Sequence, residues 1–191
     1  RSNTWPIDML VKGDIYVADG YLKIKDGNLL GSSLGNSIYG RSGKGIIIYG
    51  SIRDMQELKE TDGFNAWIKG QDPSFIKEMT ITSINFPIRV GSVTVFPGDV
   101  AFANDYGVIF IPPYLVEGLL TASEITALRD IFEREMSQSG KYLTGEIHGT
   151  WREKIKDEFR VWFSKYPKKT LITPAQLNDY LDKLPKPEIK K

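Results

Sequence analysis

The stretch Gly45-Ile46-Ile47-Ile48-Tyr49-Gly50-Ser51-Ile52-Arg53-Asp54 decides the fold. Three consecutive isoleucines between glycines read as a strand buried on both faces, because a half-exposed strand alternates apolar with polar residues. Gly50 and Ser51 are expected to turn the chain, and Arg53-Asp54 opens a polar, helix-favouring run, Met55-Gln56-Glu57-Leu58-Lys59. In an open α/β sheet, ligands sit at the carboxyl ends of strands, where this Arg-Asp pair falls. Read alone, the pattern is better explained as an ordinary strand-to-helix connection, since the helix dipole favours an acidic residue at that end.

Upstream, Lys12 to Gly20 reads as a strand closed by the turn pair Asp19-Gly20, after a connector from Arg1 to Lys12 broken at Trp5-Pro6. Tyr21 to Leu30 suggests two short strands about a turn at Asp26-Gly27. Ser32 or Ser33 can then N-cap a helix with Leu34 and Ile38 on its inner face, ending near Gly43. Strand, helix, buried strand, helix is the order of α/β layering. Gly40-Arg41-Ser42-Gly43-Lys44-Gly45 has phosphate-loop composition in the wrong order: no Ser or Thr follows the lysine, and the strand comes after it. Helix C-capping is the better reading.

Downstream, a strand is expected at Phe64–Ile68. Further short strands are read at Thr80–Ile84, Ile88–Phe96, Val100–Ala103 and Val108–Ile111, separated by Gly- and Pro-containing turns. Asp14, Asp99 and Asp105 sit beside glycines at strand boundaries, where Asp serves turns; Asp19 is less settled. From Tyr114 the period becomes helical, with Val116, Leu119, Leu120, Ile125, Leu128, Ile131, Phe132 and Met136 on one face. Thr121-Ala122-Ser123-Glu124 has capping-box form and suggests two helices with a bend. Past Gly140, Thr150 can cap a helix striped with Trp151, Ile155, Phe159, Trp162 and Phe163. Thr173-Pro174 starts a last helix carrying Leu177, Tyr180, Leu181 and Leu184. That aromatic stripe needs a surface to bury it, in the domain or a neighbouring subunit. The tail from Pro185 to Lys191 is basic and is expected to be disordered.

With 191 residues, 41% hydrophobic and 26% charged, the chain has globular composition and the length of one domain, or one with an appendage. Net charge is +1 with the signs interspersed, which points to neither nucleic acid nor a membrane surface. The absence of cysteine removes disulfides, thiolate metal sites and a cysteine nucleophile. His148 is the only histidine and is read as structural or surface. The chain begins at Arg1 without a methionine or signal-like segment and is read as a fragment lacking its original start. The compartment is therefore open, with the cytoplasm as the default.

The glycine loop Gly31-Ser32-Ser33-Leu34, the Arg53-Asp54 pair, and the later Pro97-Gly98-Asp99 and Asp105-Tyr106-Gly107 resemble, over about Asp14 to Pro112, the RraA-like family. That family holds the regulator of ribonuclease activity A and the class II aldolases for 4-hydroxy-4-methyl-2-oxoglutarate. The name demethylmenaquinone methyltransferase, carried by many members, is read as an inherited misnomer, and in this chain no Gly-rich nucleotide-binding loop follows the first strand to support a methyltransferase. The resemblance implies an α/β, ββα swivelling-domain layered fold with the N-terminal part of the usual domain missing. Its divisions would be a connector at 1–12, an RraA-like domain at 13–139, and a C-terminal helical extension with a basic tail at 140–191. It further implies a homotrimer or hexamer, and a lyase acting on a small 2-oxo acid through a metal-stabilised pyruvate enolate, or decarboxylating oxaloacetate. Carried over by position, Arg53 and Asp54 would be catalytic, with Arg53 holding the substrate carboxylate and keto oxygen. Asp54 would bind Mg²⁺, or another divalent metal such as Mn²⁺. The amides of Gly31, Ser32, Ser33 and Leu34 would cradle the carboxylate. Ser32 departs from the pattern, which has an acidic residue there, and a serine brings no anionic charge. The alternative is a non-catalytic oligomeric regulator that binds a protein.

Overall fold

The computed structural model describes residues 2–185, so the expected disorder of the tail at 186–191 lies outside the described residues. The chain forms two compact units, Arg1–Pro113 and Tyr114–Lys191. The boundary drawn from sequence at 139/140 falls instead just past a long helix.

The first unit is built on a parallel sheet of three strands in the order β1-β2-β3: β1 Tyr16–Asp19, β2 Ile46–Ile52 and β3 Ala66–Gln71. The central β2 is buried along its length except at Tyr49, as its isoleucine run requires. Gly50 and Ser51 do not turn the chain. They lie inside β2, where the register to β3 shifts between Ile48 and Ser51. Gly45 enters the strand so close to β3's approach that a Cβ there would lie 1.6 Å from the Asn65 carbonyl oxygen. Helix α2 (Ser32–Ser42) crosses from β1 to β2 and ends at Gly43, whose left-handed φ of 66° makes the C-cap read from the sequence. Its Ile38 packs with Ile46, Ile48, Ile52, Leu30 and Leu58 into one core. Helix α3 is a single turn, Met55–Leu58, between β2 and β3.

Several expectations change here. The connector at 1–12 carries a turn of 3-10 helix, Ser2–Thr4, and a short helix α1, Trp5–Asp8, that sends Ile7 into the core. Tyr21 to Leu30 forms no strand pair, because Tyr21, Leu22 and Asp26 take left-handed conformations that break an extended run. Thr80–Ile84 is irregular. Ile88–Phe96 folds as a hairpin, β4 Ile88–Val90 with β5 Val93–Val95. A second hairpin pairs β6 Val100–Asn104 with β7 Gly107–Ile111.

In the second unit, α4 (Pro113–Gln138) is one unbroken helix, so Thr121–Glu124 is not a break. Its apolar face is buried only at Ile125, Leu128 and Phe132; Leu119 and Leu120 are exposed. Short α5 (Thr144–Ile147), α6 (Glu153–Ser164) and α7 (Pro174–Lys183) complete the unit. The aromatic stripe finds its surface here: Trp151, Phe159 and Phe132 share a core with Leu177 and Leu181. Trp151 sits before α6, whose N-cap is Arg152 and not Thr150. Thr173 and Gln176 make the capping box that starts α7.

Candidate functional site

At the carboxyl end of β2, the segment Asn28 to Leu30 lies alongside the strand. Asn28 bridges to Ser51, the Leu29 amide donates to the Ser51 carbonyl at 3.0 Å, and the Arg53 amide donates to Leu30 at 3.0 Å. That register delivers Gly31 directly beneath Arg53 and Asp54. A Cβ on Gly31 would lie 2.4 Å from Asp54 Oδ2 and 2.9 Å from Arg53 Nε. Glycine is therefore required by close approach, with the backbone itself in ordinary extended conformation.

Gly31 is also the N-cap residue of α2 and has no side chain with which to cap it. Asp54 fills the gap. Its backbone is left-handed (φ 59°, ψ 32°), and its carboxylate makes no cap bond to α3, the helix it precedes. Instead Oδ2 accepts the Ser32 amide at 3.3 Å and Arg53 Nε at 3.3 Å. Both lie at the long end of the hydrogen-bond range. Serine does not cap α2; Ser32 and Ser33 are its first residues, with Ser33 exposed. Leu34 packs against the core, leaving only its backbone amide for a ligand.

Arg53 is one-third exposed, and its guanidinium carbon stands 5.1 Å from the centre of the Phe75 ring. The bond to Asp54 uses Nε and leaves the two terminal nitrogens for a ligand. The segment carrying Phe75 is fastened to the same end of β2. The Asp72 amide donates to Ile52 at 3.1 Å, and the buried Asn28 side chain donates to the Ser74 carbonyl. Asp72 Oδ1 accepts the Ser74 amide at 3.0 Å, the Asp26 amide at 3.3 Å and the Ser74 hydroxyl. The Ser74 hydroxyl, then its amide, hold the Asp72 carboxyl below its ordinary pKa. Lys77, 3.1 Å away, does the same for Asp26. Sequence reading missed Asn28, Asp72 and Phe75. Asp72-Pro73-Ser74 carried a usable signal, an Asp two residues before a serine whose amide it accepts.

Other candidates stay outside the site. Asp14, Asp19 and Asp99 accept nearby backbone amides, as turn residues do. His148 is exposed, with Nδ1 3.1 Å from Glu133 Oε2. A cavity of about 1330 Å³ in the first unit is lined by β1, the irregular segment from Ile76 to Pro87 and both hairpins. Gly31, Arg53 and Asp54 are not among its walls, so the candidate site lies outside that cleft. No group of three or more His, Asp or Glu side chains is placed to hold a metal among the described residues.

Comparison with known proteins bears on the family and the fold. One relative, "Putative 4-hydroxy-4-methyl-2-oxoglutarate aldolase" of Hahella chejuensis, is 34% identical over 106 residues, covering 56% of this chain and 63% of its own length. The chain thus spans a little under two thirds of that relative. The solved RNA-processing inhibitor RraA from Thermus thermophilis superposes with a TM-score of 0.51 at 23% identity, covering 56% of this chain and 63% of that one. RraAS2 of Streptomyces coelicolor, described as an unusual member of the RNase ES inhibitor RraA protein family, gives 0.58 at 22% identity, covering 67% and 65%. These two likenesses establish the shared fold. The family model described as RraA-like, Aldolase/RraA, matches residues 5–110, more than half of the sequence, and the chain belongs to that family.

Proposed function

We propose that the surface formed by Gly31 to Leu34, Arg53 and Asp54 binds the carboxylate and keto oxygen of a short 2-oxo acid. On this reading the whole protein is a lyase of the class II aldolase or decarboxylase kind. The observation that carries it is the contact at Gly31, which sets a helix N-terminus, a guanidinium and a carboxylate against one another with no side chain between. Each part has a use. First-turn amides and the helix dipole attract an anion. The terminal nitrogens of Arg53 match a carboxylate, or a carboxylate oxygen and an adjacent keto oxygen, in bidentate fashion. The aldolase name of the Hahella relative supports the same chemistry.

A substrate carboxylate arriving at α2 would take over the Ser32 amide, and Asp54 would then be released from its capping bond. Asp54 is the residue to hold a divalent cation, Mg²⁺ or Mn²⁺. One carboxylate suits such ions, which keep several waters and take further oxygens from substrate. When bound, the cation supplies Lewis acidity toward the negative charge that develops on the keto oxygen as the C–C bond breaks. Ser32 can orient a water by hydrogen bonding but adds no charge. Assembly into a trimer or hexamer belongs to the same proposal.

A coupled assay for pyruvate released from oxaloacetate or 4-hydroxy-4-methyl-2-oxoglutarate, with Mg²⁺ and with EDTA, tests this reading. Turnover that depends on the metal is expected, and Arg53→Ala should lower kcat/KM on the order of a hundredfold. Turnover indifferent to both changes would sink the proposal.

One observation favours a second reading, a protein-binding regulator without catalysis: Asp54 already serves as the cap of α2, a structural task sufficient to account for it. Retention on an immobilised C-terminal region of ribonuclease E at micromolar concentration, together with inactivity in the assay above, would support that reading.

A further inference from the structure

The proposed function leaves Phe75 without a role, yet its position is closely determined. It is 72% exposed, and three separate fastenings hold the residues that lead into it: Asp72 to the end of β2, Asn28 to the Ser74 carbonyl, and Asp72 back onto Ser74. Asn28 is 3% exposed, so a buried amide is committed to this segment. The result sets the ring 5.1 Å from the Arg53 guanidinium carbon, within the range of a cation–π contact.

We propose that Phe75 is a positioning residue: its ring and the Asp54 carboxylate fix the Arg53 guanidinium so that its terminal nitrogens face the α2 N-terminus, where a carboxylate binds. This rests on the 2-oxo acid reading given above and deepens it. An arginine tethered only through Nε is free to swing about its long side chain, and each rotamer lost on binding weakens the complex. A ring against the guanidinium removes that freedom in advance and keeps water from one side of the cation. Because Arg53 would grip the carboxylate in ground and transition states alike, loss of the ring should raise KM and leave kcat nearly unchanged.

Oxalate, a planar dicarboxylate analogue of the pyruvate enolate, is the probe, titrated calorimetrically in the presence of Mg²⁺. Arg53→Ala should abolish binding. Phe75→Leu, which keeps the bulk and removes the ring, should weaken it about two- to fivefold, and Phe75→Trp should restore it. A second measurement needs no ligand: the Arg53 Nε–Hε resonance, beside the ring, should move in Phe75→Leu and return toward its original position in Phe75→Trp. An unmoved resonance in Phe75→Leu overturns the positioning role, whatever oxalate does. A resonance that moves as expected in a protein that binds no oxalate would instead overturn the 2-oxo acid reading, and with it the purpose assigned to the positioning.

Discussion

Asp54 holds two assignments that a single substitution separates. As the cap of α2 it needs an oxygen that accepts the Ser32 amide, and asparagine offers one; as a metal ligand it needs charge, and asparagine has none. Asp54→Asn should therefore leave the denaturant midpoint nearly unchanged, within about 0.5 kcal/mol of stability, while removing metal-dependent turnover. Gly31→Ala has the opposite character. Its methyl group would be driven into Asp54 and Arg53, and chemical denaturation should show a loss of about 1–3 kcal/mol, with the Asp54–Ser32 bond displaced. At this scale the sequence was partly legible. The Arg53-Asp54 pair and the Gly31 loop could be found because charge and glycine stand out in an apolar context. That Asp54 would cap the distant helix and not its own depends on Asn28 to Leu30 lying beside β2, and no local pattern encodes that.

Among the elements, β2 and α2 were legible because their signals are strong and local: an isoleucine run, and a helical period closed by glycine. The strands expected at Tyr21–Leu30 are broken by left-handed residues. The one expected at Thr80–Ile84 failed for a different reason: strand preference is realised through neighbours, and β-branched residues with no partner strand remain irregular. The segment from Asp72 to Lys77 shows what holds such a loop instead, and its ties are acid-sensitive. Asp72 and Asp26 both titrate below their ordinary range, so their contribution to stability is complete above the unfolded-state pKa. It is lost as the pH falls through their lower folded-state values. The protection factor of the Ser74 amide, which the Asp72 carboxylate accepts, should thus hold at neutral pH and fall only below about pH 4.

The molecule has two cores with separate memberships, one around Ile38, Ile46 and Ile48, the other around Phe132, Trp151 and Phe159. Phe159 is fully buried and meets Phe132 at 5.2 Å and Trp151 at 5.3 Å between ring centres. Phe159→Ala should cost about 3–5 kcal/mol, lowering the transition of the helical unit. Hydrogen exchange should show protection lost from α6 and α7 while β2 keeps its own. The sequence revealed the aromatic stripe of this unit but not what would cover it, because a stripe shows that a partner is needed without identifying it.

The two units also differ in where their backbone bonds are made. Helices α4, α6 and α7 close theirs four residues apart, whereas every pair in the parallel sheet spans a crossover, as Tyr16 with Ile46 and Ile46 with Ala66 do. Loop closure slows such non-local pairing, so refolding should be biphasic, with helix formation in the second unit preceding the sheet. The catalytic surface proposed at the end of β2 would then be the last part of the chain to exist.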